Sequence, residues 1–191
     1  MKEPSSIQTL YVTERNVWRK WLQENFASEK AIWLIYPKKA SGKPRILYND
    51  AVEEALCFGW IDSTIRSLDD HHSIQKFSPR RPESGFSQPN KERLKRLEQE
   101  GRIHPSVCDR VREVLLEEFV FPEDILERIE NDKVAWNHYQ EFSESYKRIR
   151  VAYIDAARKR PDEFEKRLLN FLKKTRENKL IKGYGGIEKY Y

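Results

Sequence analysis

The chain predicts an α+β fold: a small, mainly antiparallel sheet with surrounding helices in the N-terminal half, followed by a helical C-terminal half. Three observations carry this. Short β-favouring runs bounded by turn residues fall before about residue 80, apolar residues recur at helical spacing from Asn90 onward, and no internal repeat or low-complexity stretch points to a solenoid.

The N-terminal elements follow in order. After Thr13, a candidate helix cap, Val17, Trp18, Trp21 and Leu22 recur at helical spacing and predict an amphipathic helix to about Asn25, its tryptophans inward. The run AIWLIY from Ala31 to Tyr36 is short, β-favouring and stopped by Pro37, which predicts a strand buried on both faces. A second helix begins near Asn49, a candidate cap, with Val52, Ala55 and Leu56 forming its apolar stripe. Gly59 suits the left-handed position beyond its end. Trp60 opens a strand in which Ile61, Ser63 and Ile65 should share one face and Asp62, Thr64 and Arg66 the other. A turn through Asp69, Asp70 and His71 returns Ser73 to Ser78 antiparallel to it.

Beyond Asn90 the pattern is helical. Leu94 and Leu97 mark one helix ending near Gly101, and Val107, Val111, Val114 and Leu115 mark another opening at Pro105. Pro122 begins a third, with Ile125, Leu126 and Ile129 inward. Ala135, Tyr139 and Phe142 follow, then Tyr146, Ile149, Tyr153, Ile154 and Ala157 after a cap at Ser143. Pro161 precedes a last amphipathic helix carrying Phe164, Leu168, Phe171 and Leu172, ahead of a tail containing GYGG. The expected organisation is residues 1–104 as an α+β region and residues 105–191 as a helical region packed on it, with the seam near His104 to Ser106.

Composition bounds the function. With 38% hydrophobic and 35% charged residues, the chain should fold as a soluble globular protein rather than remain disordered. No apolar run approaches the ~20 residues of a spanning helix, and the start MKEPSSIQTL is too polar for a signal peptide, so a cytoplasmic location is expected. Cys57 and Cys108 are too few for a disulfide framework. The net charge of +5 conceals a segregation: Arg158 to Tyr191 holds 11 Lys/Arg against 5 Asp/Glu, and Asp109 to Glu144 holds 4 against 11. The basic segment can meet nucleic acid or the acidic segment of its own chain, and the second is expected because its cations are interleaved with anions.

The candidate chemistry lies in ALCFGWID, Ala55 to Asp62, and KFSPRRPESGFSQPN, Lys76 to Asn90. Arg80 and Arg81 stand between Pro79 and Pro82, whose fixed backbone lowers the entropy lost when guanidinium groups grip a carboxylate or phosphate. The expected ligand site is an anion-accepting pocket of Trp60, Asp62, Arg80, Arg81, Ser84 and Phe86, the aromatic faces adding stacking and cation–π contacts. The structural alternative has one arginine paired with Asp62 to fix the loop to the sheet, the other facing a concavity, and the aromatics in the core. A further alternative is a small-molecule enzyme with Asp62 as acid or base and Arg80 or Arg81 holding substrate.

Asp69, Asp70, His71 and His72 are adjacent in a turn and lack a second ligand cluster, so no metal is expected. Ser78, Ser84 and Ser87 lack a nucleophile-elbow motif, and Ser87 reads as a helix-entry residue. No Walker loop, dinucleotide fingerprint or zinc-protease helix is present, and no cofactor is expected.

The segments WRKWL, AIWLIYPKK, YNDAVEEALCFGWID, FSPRRPES and SQPN, with a helix ending in EGRI, together resemble the YdeI/OmpD-associated family, also called bacteriocin-protection proteins. The resemblance covers about Val17 to Gly101, is looser in HPSVCDRVREVLLEEFVFPEDI, and returns from FEKRLLNFLKKT to GGIEKYY. It implies protection against bacteriocins or antimicrobial peptides and association with an outer-membrane porin. The polar start argues against direct porin contact for this chain, leaving an intracellular binding protein linked to stress resistance as the expected role.

Overall fold

The computed structural model describes residues 7–183, and the chain divides into two compact units. The first takes the chain through Phe86 together with Arg93–Leu115; the second takes Ser87–Glu92 and the chain from Leu116 onward. The division thus falls at Leu115/Leu116, and residues 105–115 go with the sheet-bearing unit.

The first unit is α+β. Its elements are β1 (Thr9–Leu10), α1 (Arg15–Asn25), β2 (Ile32–Pro37), α2 (Tyr48–Cys57), β3 (Trp60–Ser67), β4 (His72–Pro79), most of α3 (Gln88–Gln99) and α4 (Cys108–Leu116). The sheet runs β1-β2-β4-β3, with β1 parallel to β2 and the other two pairings antiparallel. Strands β2 to β4 lie where hydrophobic patterning predicts them. The edge strand β1 is two residues long and leaves no periodic signal.

The expected alternation of β3 fails at one point. Asp62 pairs with Phe77 and Ile65 with Gln75, so three residues of β3 span two of β4. One inserted residue moves all that follow to the opposite face. Ile61 packs against the core, whereas Ile65 is 65% exposed.

The helix starts also differ from expectation. Glu14, not Thr13, precedes α1 and makes no side-chain cap; Leu47 precedes α2, placing Asn49 inside it, where its Oδ1 accepts a 3.0 Å bond from Arg93. Trp18 and Leu22 are buried as predicted, but Val17 faces solvent. Gly59 has φ +72°, the left-handed conformation its position calls for.

Helix α2 is buried from Ala51 through Cys57, on every face rather than along one stripe. Glu53 and Glu54 are therefore forced inside and must find partners. Glu54 accepts from the guanidinium groups of Arg15, Arg19 (2.7 Å) and Arg102, while Arg15 also bonds Glu53 at 3.0 Å and Asp50 at 3.1 Å. Burial and the Glu54 charge push the neighbouring Cys57 thiol up to about 11, leaving it protonated and unreactive at neutral pH.

The second unit is helical: α5 (Glu123–Glu130), α6 (Lys133–Glu141), α7 (Glu144–Asp155) and α8 (Pro161–Arg176). Ile125, Ile129, Tyr139, Tyr146, Val151, Ile154, Leu168 and Phe171 form its core, close to the set that helical spacing predicts. Ser143 caps α7 by accepting from Tyr146 N at 3.2 Å, as expected, and Asp132 caps α6 through Ala135 N. Buried Glu92 accepts from Arg148 at 2.7 and 2.9 Å and from Ser145 at 2.9 Å. The segregated charges meet within this unit: Arg158 pairs with Asp124 at 2.9 Å and Arg176 with Asp132. Most of the GYGG tail lies outside the described residues. No helix among those described is long and apolar enough to cross a membrane.

Candidate functional site

The ALCFGWID and SPRRPES segments do come together. Strand β3 leaves Gly59 beside the end of β4, and Arg80 N donates to the Gly59 carbonyl at 2.9 Å. The predicted site residues nevertheless divide among three environments.

Trp60 is in the core. It is buried, its ring meets Trp21 edge-on at 5.9 Å, and its indole N–H donates to the Phe26 carbonyl at 3.1 Å. Asp62 accepts from the Tyr48 hydroxyl at 3.0 Å and from Gln75 Nε2 at 2.6 Å, and neither arginine pairs with it. The expected Asp62–arginine bridge is thus replaced by two neutral donors. The side chain of Arg80 turns the other way, to the carbonyls of Ser84 (3.2 Å) and Gly85 (2.6 Å), with its guanidinium 3.9 Å above the Phe86 ring.

The loop is closed from a second side by Arg110 of α4, which donates to the carbonyls of Arg81 at 2.6 Å and Pro82 at 3.2 Å. Burial and the like charge of Arg110 hold the Arg80 guanidinium below its usual pKa. Arg80, Ser84 and Phe86 therefore form a self-clamped loop, whereas Arg81 is exposed and makes no side-chain bond among the described residues. Nothing in CDRVREV marks Arg110 as the partner of a loop some thirty residues earlier, so sequence reasoning missed it.

The two arginines should differ on truncation. Arg80→Ala removes charged hydrogen bonds and a cation–π contact and is expected to cost about 1–3 kcal/mol. Arg81→Ala should stay within ~0.5 kcal/mol of the parent. Paired urea denaturation curves check this, and equal losses would contradict the clamp.

Asp69 serves its turn rather than an ion, accepting from His71 N and His72 N at 2.7 Å and from His72 Nδ1 at 2.9 Å. Among the described residues no group of three His, Cys, Asp or Glu is placed to hold a metal.

A more strongly cationic site lies in the second unit. A cavity of about 300 Å³ between α7 and α8 is lined by Arg150, Lys166, Arg167 and Lys182, with Glu163 as its one carboxylate among the described residues. Helical spacing puts Glu163, Lys166, Arg167 and Asn170 along one side of α8, and Ile154, Phe171 and Ile181 supply an apolar lining. Arg167 bonds Glu163 at 2.8 Å and the Tyr153 carbonyl at 2.7 Å, and its guanidinium stacks 3.8 Å from the Tyr153 ring. That bond holds the Glu163 carboxyl below its usual range, so Glu163 is ionised and already matched. Arg150 donates to the Ile181 carbonyl. Lys166 and Lys182 are exposed and have no hydrogen-bond or ion-pair partner among the described residues. The basic segment was visible in the sequence, but its folding against α7 into a cavity was not.

The comparisons divide the chain in a similar way. A family model described as Domain of unknown function (DUF8412) matches residues 10–110, just over half the chain. The model described as Bacteriocin-protection, YdeI or OmpD-Associated matches residues 118–178, which hold α5 to α8. The motifs from Val17 to Gly101 on which the family resemblance rests thus fall within the first match, and the YdeI/OmpD-associated match lies C-terminal to them. Comparison with curated proteins and with solved structures finds no match. The chain belongs to the DUF8412 family, whose model matches residues 10–110, and its helical segment 118–178 matches the YdeI/OmpD-associated bacteriocin-protection family.

Proposed function

We propose that the protein is a binding protein whose helical unit accepts a small anion in the cavity between α7 and α8. The observation that carries this is the charge balance: among the described residues four cationic side chains line the cavity, and the one carboxylate, Glu163, is already bonded to Arg167. Lys166 and Lys182 remain for a ligand, while Tyr153, Ile154 and Phe171 suit an apolar or planar body attached to the anionic group. This retains the anion-accepting pocket expected from the sequence but moves it from Arg80 and Arg81 to the helical unit, at the C-terminal end of the segment matched by the YdeI/OmpD-associated model and just beyond it.

The family description carries bacteriocin protection. A cationic pocket repels basic peptides, so in this reading any part in resistance runs through a small anion rather than capture of such a peptide. The enzyme alternative needs Asp62 beside Arg80 or Arg81, an arrangement the chain does not form. Nucleic-acid binding through the basic segment is not favoured, because Arg158, Arg167 and Arg176 are each paired with carboxylates.

A thermal-shift series on the full chain at constant ionic strength tests the proposal. Phenyl phosphate and benzoate should raise the melting temperature, and phenol should not. A ligand at 100 times its Kd adds about 2.7 kcal/mol to the stability of the state that binds it. An equal response to phenol, or none to any anion, would overturn the reading.

A further inference from the structure

A second cavity, of about 220 Å³ and wholly within the first unit, has a different chemistry. It is lined by Tyr36 of β2, Arg45, Ile46, Leu47 and Tyr48 at the start of α2, Ile65 of β3, and Ser73 and Gln75 of β4. Asp62 stands directly behind this wall, bonded through Oδ2 to both Tyr48 and Gln75.

Arg45 thus lines the cavity directly, and the opposite charge of Asp62 lies one hydrogen bond behind its wall. Arg45 donates to the Pro37 carbonyl at 3.1 Å, but it makes no ion pair with Asp62 or with any other described residue; Asp62 likewise has no cationic partner. The Tyr36 side chain is also unmet: the residue is 7% exposed, and its hydroxyl is buried without a hydrogen-bond partner. Burial and the Asp62 charge push the Tyr48 hydroxyl up to about 12 and raise that of Tyr36 as well, so both phenols keep their protons at neutral pH. Ile46, Leu47 and Ile65 give the lining its apolar part, and Leu47 and Ile65 are 68% and 65% exposed.

We infer that this cavity is a binding site for a small zwitterion, an α-amino acid with an aliphatic side chain. Its ammonium group is matched by the Tyr48 and Gln75 wall, with the Asp62 charge one hydrogen bond behind it, its carboxylate by the Arg45 guanidinium and the Tyr36 hydroxyl, and its side chain by Ile46, Leu47 and Ile65. A ligand with one charge satisfies one end and leaves the other uncompensated. The cavity is below the ~300–1,000 Å³ typical of drug-sized ligands, which limits the occupant to about the size of a free amino acid. The inference is independent of the anion cavity, because it rests on a separate set of residues in the other unit.

Three probes of one carbon skeleton test it on the full chain: leucine, isoamylamine, which lacks the carboxylate, and 4-methylpentanoate, which lacks the ammonium. Binding is followed through the NMR resonances of labelled Tyr36 and Tyr48. Leucine should shift them saturably, and each half-ligand should bind about tenfold more weakly or worse. Arg45→Gln, an exposed substitution that leaves the core intact, should abolish the advantage of leucine over isoamylamine, and Asp62→Asn its advantage over 4-methylpentanoate. Should Asp62→Asn fail to fold, Arg45→Gln decides alone. No saturable shift with leucine, equal binding by either half-ligand, or an undiminished leucine advantage in Arg45→Gln would overturn the inference.

Discussion

Glu54→Ala is expected to cost about 3–5 kcal/mol, the largest loss from any single carboxylate in the first unit. Its side chain is fully buried and takes hydrogen bonds from Arg15, Arg19 and Arg102, so truncation leaves three partly buried guanidinium groups short of a counter-charge. Glu54→Gln keeps the volume and part of the bonding and should lose less. Glu165→Ala, which breaks the half-exposed Arg128–Glu165 pair, should cost no more than ~1 kcal/mol. Denaturant titrations of the three variants give the order directly. A Glu54→Ala loss as small as that of Glu165→Ala would show that the arginines re-solvate without cost.

The second large effect is expected at Gly59. A Cβ there meets Val107 Cγ1 at 2.9 Å, and the backbone already has φ +72°. Left-handed strain of about 1–2 kcal/mol combines with overpacking of about 1–3 kcal/mol, giving Gly59→Ala a loss of roughly 2–5 kcal/mol. Gly101 provides the internal control: its φ is +64°, and nothing lies near the Cβ position. Gly101→Ala should therefore show the backbone component alone. Equal losses at the two positions, measured by thermal unfolding, would mean that Val107 yields without cost.

These two sites mark where the sequence was legible and where it was not. Gly59 followed from a helix stripe ending in glycine before a strand, a local pattern with one common backbone solution. Strands β2 and β4 and the caps at Ser143 and Asp132 are likewise local, although the Asp132 cap was not anticipated. Glu54 was not legible. Reading α2 as amphipathic left Glu53 and Glu54 to solvent, and only the coverage of the helix from Arg15, Arg19 and Arg102, remote in sequence, turns them inward.

The bulge in β3 was hidden for a related reason. Alternation of Ile61, Ser63 and Ile65 looks regular until pairing with β4 inserts one residue. At the predicted site, Pro79-Arg80-Arg81-Pro82 correctly identified a stiff loop. The partner of Arg80 proved to be the carbonyls of that same loop, closed by Arg110, and not Asp62. Asp62 became interesting for another reason, the neutral donors Tyr48 and Gln75 and the cavity before them.

Anion binding in the helical unit is tested most directly by calorimetric titration of phenyl phosphate into two charge-reversal variants. Lys166→Glu with Lys182→Glu reverses two exposed cations of the α7–α8 cavity, whereas Arg81→Glu reverses the exposed cation of the SPRRPES loop. All three residues are exposed, so folding should survive in both. Binding should fall by about tenfold or more in the double variant and stay at the parent value in Arg81→Glu. Undiminished binding in the double variant, or its loss in Arg81→Glu alone, would contradict the assignment and return the anion site to the loop.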